Sequence, residues 1–529
     1  MAGSRNSRRS LLSSAIGVTV CLLVSAGVMA AAVWHFHVNG STLYFGDAEA
    51  HLGIARRIID SRTPGWYQVG TTWLPLPHLL MIPLVRDKQL WMTGLAGGIT
   101  AGVCMTLAAV FLFAAMLREF DSMIAASAAV VVFLLNPNTL YLGSIPMTEP
   151  AFFASLFALL YFTVRFQDTH GWGALLGAAI AALAGTLTRY EAWLLLPFVA
   201  VYILVCGPRK RWLKRLFAAI VFSIIAGAGP LLWLAHNWWY FGDPLYFYRG
   251  PWSALVIQGT TPYPGRGDWR VAALQFLAAG ALVAGIPALI AGVAGLLAAL
   301  WQRRVWAVVL LTIPPLFYVW SVHSSGTPIF VPTLWPFTWY NTRYAMALVP
   351  LVALGVAAIA RYGRIAAAVA VTLVFVPLAF HPLEPSVTWK ESEVNSRVRR
   401  QWTARAAAYL RPNIEPGDTF ITGEGDLTGI YRTLGIPIRS TLSLDNDNEW
   451  AEATLMPGIF LHTEWAIVTG GDLVQGILDR ERLYGPRYDL EQRIMVKGAP
   501  VVEIYHKVYE NPIHETARSE ERLPADDGR

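Results

Sequence analysis

Uninterrupted apolar runs recur along the first three quarters of this chain. Each is long enough, at about 20 residues, to cross a bilayer. We read eleven of them, at roughly 11–36, 92–117, 122–140, 149–166, 172–188, 191–207, 215–236, 271–300, 305–322, 344–360 and 363–381. A backbone inside lipid must satisfy its own hydrogen bonds, which leaves helices or a closed barrel. Barrel strands alternate apolar and polar residues. These runs do not, so residues 1–381 are expected to form a polytopic α-helical membrane domain. Only 14% of the residues are charged, against about 25% in soluble domains. The 21 Trp and 20 Tyr suit the aromatic belts of a membrane interface. The formal charge of +6 gives no reason to expect nucleic acid as a partner, because Lys and Arg collect at the ends of apolar runs.

The distribution of Lys and Arg predicts an orientation. With the N-terminus in the cytoplasm, the connections on that side are short and basic. They hold Arg118, Arg165, Arg209-Lys210-Arg211 with Lys214 and Arg215, Arg303-Arg304, and Arg361 with Arg364. The opposite loops, 37–91, 237–270 and 323–343, are longer. Arg56, Arg57, Arg62, Arg86 and Lys88 in the first of them break the rule and call for another explanation, such as a lipid or substrate phosphate. The first run follows Arg5, Arg8 and Arg9 and reads as an uncleaved anchor. An odd number of spans puts the remainder of the chain outside, in a bacterial plasma (inner) membrane. From residue 382 the apolar runs shorten to strand length, as in Thr419–Thr422, Trp465–Thr469 and Val501–Tyr505, with helix-like stretches between. We therefore expect an extracytoplasmic α/β domain over 382–510 and a disordered polar tail over 511–529. Cys21, Cys104 and Cys206 lie inside apolar runs and offer neither a disulfide framework nor a Cys-based metal site.

Charges beside lipid are costly and point to function. The first outer loop carries Tyr44-Phe45-Gly46-Asp47-Ala48-Glu49-Ala50-His51. A helix is expected from Asp47, since an acid in the first turn favours the helix dipole. Asp47 and His51 then share a face. The functional reading is a general base, with a divalent metal on Asp47 and His51 left open. The structural one is a helix cap with a local Asp–His hydrogen bond. Trp73-Leu74-Pro75-Leu76-Pro77-His78 to Leu84 is apolar, short and broken by Pro, and reads as a re-entrant or interfacial segment. Further charges reach the same membrane face. Glu149 opens a span in Pro146-Met147-Thr148-Glu149-Pro150, where Thr148 would serve equally as a helix cap. Arg189 and Glu191 lie in a near-loopless hairpin and would pair with each other. Arg343 begins the tenth span, where it would snorkel to headgroups or hold a lipid phosphate. His323 and Asp243 read as loop residues. Asp445-Asn446-Asp447-Asn448-Glu449 lacks the glycine and spacing of an EF-hand and reads as a solvated acidic loop.

Gly46-Asp47-Ala48-Glu49, the Thr188-Arg189-Tyr190-Glu191 hairpin, and Asn341-Thr342-Arg343-Tyr344 with Pro350 resemble the GT-C glycosyltransferases, which include the protein O-mannosyltransferases and the lipid A aminoarabinose transferases. The layout of spans and outer domain is similar too. The resemblance implies a cell-envelope transferase that takes a sugar, hexosyl or pentosyl, from a polyprenyl-phosphate carrier and gives it to an extracytoplasmic protein, lipid or glycan. Asp47, with Glu49, would be catalytic: Asp47 would deprotonate the acceptor hydroxyl, the anomeric carbon would invert, and Arg343 or Arg189 would hold the departing phosphate. His51, Glu149, Arg189, Glu191 and Arg343 would bind substrate. Beyond a divalent metal the resemblance implies no cofactor, and it leaves the need for that metal open, since metal use differs within this class. Protein mannosyltransferases typically show adjacent Asp-Glu, whereas here Ala48 intervenes. The Trp-Trp-Asp motif of oligosaccharyltransferases is absent from the outer domain, so transfer of whole glycans to asparagine is not expected. Two alternatives share the sequence features. A flippase or transporter of lipid-linked glycans would place its charges near the midplane; a surface-polysaccharide polymerase or ligase would use a diphosphate donor.

Overall fold

Nearly all the apolar runs are helical in the computed structural model of the protein, which describes residues 2–207, 211–380, 386–423, 425–484 and 488–508. Arg209-Lys210 and the polar tail expected to be disordered lie outside the described residues. The protein is a polytopic α-helical membrane protein with a small C-terminal sheet domain. Among the described residues, six helices are long and apolar enough to cross a membrane: Ser13–Val38, Leu95–Phe120, Glu149–Thr169, Trp212–Phe241, Val305–Ser324 and Thr342–Ala360. Leu76–Val85, Met123–Leu134, Trp172–Thr186, Glu191–Val205 and Arg364–Val376 are shorter apolar helices. The expected continuous span at 271–300 is instead two helices, Trp269–Ala284 and Ile286–Trp301, bent by 104°. Gly285 sits at the break with φ +86°, and Pro287 opens the second helix. A positive φ ends a right-handed helix, and Pro is at home in the first turn of the next.

The chain divides into two compact units, residues 1–56 with 69–396, and residues 57–68 with 397–529. In the first, helices Leu95–Phe120 and Glu149–Thr169 are buried over most of their length, while Ser13–Val38 and Trp212–Phe241 present mostly exposed apolar side chains. Lipid is as apolar as leucine, so close backbone contact rather than hydrophobicity holds such helices together. Gly97 and Gly98 show this. A Cβ on Gly97 would lie 2.3 Å from Pro146 Cβ, and one on Gly98 2.8 Å from the Ser144 carbonyl. The pair thus seats the Ser144–Pro146 turn, which leads directly into Glu149.

The second unit holds a five-stranded sheet of order β2-β1-β3-β5-β4. The strands are β1 (Phe420–Thr422), β2 (Thr441–Leu442), β3 (Trp465–Thr469), β4 (Tyr488–Ile494) and β5 (Val502–Lys507). β1 is parallel to β2 and β3, and β5 is antiparallel to β3 and β4. The short segment 57–68 belongs to this unit and is bound to it by charge. Arg57 pairs with Asp445 and Arg62 with Glu449. Arg439 Nη1 lies 3.0 Å from Asp60, and Gln68 Nε2 donates to the Asp445 carbonyl at 2.9 Å. The acidic stretch expected to be solvated is therefore the receiver of this segment. Of the outer-loop cations that needed a reason, Arg57 and Arg62 have these partners. Arg56 donates to the Val85 and Arg86 carbonyls and lies over the Trp91 ring.

Candidate active site

The sequence-predicted site residues of the first unit come from four separate places in the sequence. A helix at Gly46–Arg57 starts one residue before Asp47, with Asp47 and Glu49 in its first turn. Glu149 is the first residue of Glu149–Thr169, and Pro150 occupies an early position where its missing N–H costs nothing. Thr148 makes no side-chain cap there. Its hydroxyl instead accepts from Arg189 Nη1 at 2.6 Å. Arg189 and Glu191 sit at the junction of Trp172–Thr186 and Glu191–Val205. Arg343 lies in the 3-10 turn Thr342–Leu348 that opens the last long span.

These residues form one connected charge network. The Arg343 guanidinium pairs with the Asp47 carboxylate and stands 3.6 Å from Glu149 Oε1. The same Glu149 oxygen is 3.0 Å from Arg189 Nη1. Arg189 Nε pairs with Glu191 Oε1 at 2.6 Å, as its sequence neighbourhood implied, and Arg189 Nη2 donates to the Tyr318 hydroxyl at 2.6 Å. Tyr318 in turn donates a hydrogen bond to Glu191 Oε1, again at 2.6 Å. Phe45 and Tyr344 cover the Arg343 guanidinium at 5.2 and 5.4 Å. Three carboxylates thus surround two guanidiniums, and Glu149 bridges both cations from a side chain only 5% exposed. Cations held in place by neighbouring acids are preorganised to stabilise an oxyanion that forms beside them.

Asp47 keeps 37% of its side chain accessible. Enclosure opposes its charge, but Arg343 first, then His51 and Arg189, outweigh this and hold the carboxyl below its ordinary range. His51 is pushed down to about 4, chiefly by burial, with Asp47 and Glu149 opposing. It is neutral at physiological pH. It bonds to His78, Nδ1 to Nε2 at 2.9 Å, rather than to Asp47, and packs edge-on against Trp73. With Asp47 committed to Arg343 and His51 to His78, the two do not fit a metal site. Among the described residues no group of three or more His, Cys, Asp or Glu side chains is placed to hold an ion.

Asp47, His51, Arg189, Glu191 and Arg343 all line one cavity of about 1040 Å³. The charged groups account for a small part of its wall. The rest is apolar and aromatic, including Trp73, Trp193, Phe247, Trp269, Phe317 and Trp320. Tyr190 stacks on Phe247 at 5.0 Å, donates to the Thr72 carbonyl and accepts from Trp233, which fixes that wall. Glu149 stands behind the two arginines and is not among the lining residues. Glu49 is buried on the helix that bears Asp47 and does not line the cavity either. His323 stacks on Trp269, and Asp243 caps the turn at Leu245. Sequence reasoning passed over Tyr318, because a tyrosine in an apolar run reads as an interfacial anchor. It also passed over Glu391, which accepts from the backbone N–H of Asn341 and of Thr342 at 2.8 Å each.

Comparisons with known proteins bear on the fold that carries these residues. Residues 92–233 match the family model described as dolichyl-phosphate-mannose-protein mannosyltransferase. No curated protein matches the chain. The crystal structure of ArnT from Cupriavidus metallidurans bound to undecaprenyl phosphate is similar at a TM-score of 0.54 and 14% identity, over 92% of this chain and 97% of that one. The apo state of the same protein gives 0.53 and 14%, over 86% and 93%. Identity this low speaks for the fold alone, and the fold is shared over nearly the whole length. Part of the chain is thus similar to the protein mannosyltransferases, and nearly its whole length shares the fold of ArnT.

Proposed function

We propose that the protein transfers a single sugar from a polyprenyl-phosphate carrier to an acceptor hydroxyl or amine outside the cytoplasm, with inversion at the anomeric carbon. The observation that carries this reading is the cavity itself, in which two acids, Asp47 and Glu191, and two arginines meet a long aromatic and apolar wall. A donor with a lipid tail and a phosphate needs both kinds of surface. The ArnT structure, which holds undecaprenyl phosphate on the same fold, supports the same class of donor.

In this mechanism the acceptor O–H gives its proton to Asp47 as its oxygen bonds to the anomeric carbon. The bond from that carbon to the phosphate oxygen breaks, and polyprenyl phosphate leaves with one more negative charge than the esterified donor carried. Arg343 and Arg189 face that growing charge, and stabilisation that strengthens only in the transition state accelerates the step. Asp47 is a weak base while Arg343 holds it. A donor phosphate that takes over the Arg343 N–H groups loosens the pair and restores basicity to Asp47, so the base is armed by the substrate. Glu49 lies off the cavity wall, and we assign it no direct part. The basic helix ends Arg118, Arg303, Arg304, Arg361 and Arg364 support a cytoplasmic N-terminus and an extracytoplasmic site in a bacterial inner membrane.

The test supplies purified protein with sugars on polyprenyl monophosphate and on polyprenyl diphosphate, side by side, with an envelope extract as acceptor. Transfer from monophosphate donors is expected. Transfer from diphosphate donors alone would replace this reading with a polymerase or ligase. Lipid flipping in liposomes without any transfer would replace it with a transporter.

A further inference from the structure

Arg343 is the second residue of the turn Thr342–Leu348, at its unsatisfied N-terminal end. The residue two before it, Asn341, is in the left-handed region at φ +54° and provides no side-chain cap for the turn that follows. The first N–H groups of a helical turn lack internal partners, and here one distant side chain supplies them. Glu391, buried on the helix Val387–Leu410, accepts from Asn341 N through Oε1 and from Thr342 N through Oε2, at 2.8 Å each, and its Oε2 also takes the Thr342 hydroxyl. Asn341 is tied on its other side by its amide, which donates to the Pro328 carbonyl at 2.9 Å.

The neighbouring residues of the same helical turn hold the opposite half of the ion pair. Thr388 donates its N–H and its hydroxyl to Asn138 Oδ1 at 2.9 and 3.1 Å. Ser392 shares a 2.8 Å hydrogen bond with Tyr141, whose ring stacks at 6.2 Å on Phe45, two residues before Asp47. One turn therefore grips both the segment that presents Arg343 and the aromatic pair that leads into Asp47.

We propose that Glu391 is a positioning residue: it aims Arg343 at the leaving phosphate by capping the Asn341–Thr342 backbone, while the adjacent Ser392 braces the Asp47 side. The inference rests on the transferase reading above. It predicts a loss in kcat rather than in donor KM, because the charge that Arg343 must meet develops only as the phosphate departs. A misplacement near 1 Å costs on the order of 10²-fold in rate.

The experiment compares wild type, Glu391→Gln, Glu391→Ala and Glu391→Asp in the monophosphate-donor assay, with folding checked by tryptophan fluorescence melting. Glu391→Gln keeps the shape but turns an N–H donor toward backbone donors, and should lower kcat about tenfold with donor KM changed less than threefold. Glu391→Ala should lower kcat about 10²-fold, and Glu391→Asp should recover part of that loss. In an Arg343→Lys background, which retains the charge but not the guanidinium fork, Glu391→Gln should cost less than about twofold, because the two act through one group. Should Glu391→Ala fail to fold, the Gln variant and the cycle carry the test. Losses that multiply fully in the double variant, or Gln and Ala variants with unaltered kcat, would overturn the positioning role alone. A wild type inert with every donor would overturn the transferase reading, and this inference with it.

Discussion

Replacing Asp47 by Asn separates two consequences that the ion pair with Arg343 ties together. The substitution preserves shape and leaves an amide oxygen for the guanidinium, but removes the base and one charge. Loss of a general base costs about 10²–10⁴ in kcat. The effect on donor binding has the opposite sign. Two unit charges in near contact at an effective dielectric of 20 attract by about 4 kcal/mol. Asp47 is 37% accessible and Arg343 is shared with Glu149, so solvent screening and the second partner reduce the usable part to about 1 kcal/mol. That share no longer has to be displaced when a phosphate claims Arg343. Polyprenyl phosphate should therefore bind Asp47→Asn about fivefold more tightly than wild type, even as transfer falls by orders of magnitude. Tryptophan quenching on titration with polyprenyl phosphate reads the first effect, and single-turnover transfer of radiolabelled sugar reads the second. Wild-type turnover in Asp47→Asn would remove Asp47 as the base. Weaker phosphate binding in the same variant would refute the competition between Asp47 and the donor.

The pH profile follows from the same pair. Asp47 has a depressed pKa in the free protein, so it stays ionised as pH falls and is protonated only below the usual value of about 3.9. The acid limb of kcat/KM, which reports the free enzyme, should thus lie lower than that of kcat, where bound donor has loosened the pair. His51, near 4, should add no limb around pH 6–7. Glu149→Gln leaves two arginines facing each other without the acid between them, and breaking a buried pair costs about 3–5 kcal/mol; its melting temperature in detergent should drop and transfer should be lost. Gly98→Val places side-chain atoms against the Ser144 carbonyl and should shift the turn before Glu149, lowering kcat with little effect on expression; full activity would show that this turn does not need its close seat.

Some of this was legible in the sequence because charge is rare in an apolar chain. Asp47, Glu149, Arg189, Glu191 and Arg343 stand out against hydrophobic surroundings, and the local Arg189–Glu191 pair needs only their spacing. The partners of Asp47 and Glu149 were not legible, since Arg343 meets Asp47 from almost 300 positions away and nothing in either local pattern names the other. Glu391 was hidden for a different reason. It sits in Lys390-Glu391-Ser392-Glu393, a stretch that looks like any solvated helix, and only the tertiary fold turns one of its two acids inward. The bend at Gly285 had a written signal in Gly285-Ile286-Pro287, which the continuous hydropathy of the run masked. β2 has two residues and β4 is broken by a bulge near Leu490, so neither offers the alternation from which strands are read.

The segment 57–68 changes how this protein can be taken apart. It interrupts the first unit in sequence yet is bound by Arg57–Asp445, Arg62–Glu449 and Asp60–Arg439 to the second. A chimaera spliced only at residue 397 would import foreign acids and bases opposite an unmatched dozen residues, and a truncation there would strand the carboxylate of Asp60, which is almost fully covered in the intact chain. A functional graft must move both pieces as a single cassette, and substitutions at 57, 60 or 62 are expected to covary with those at 445, 439 and 449.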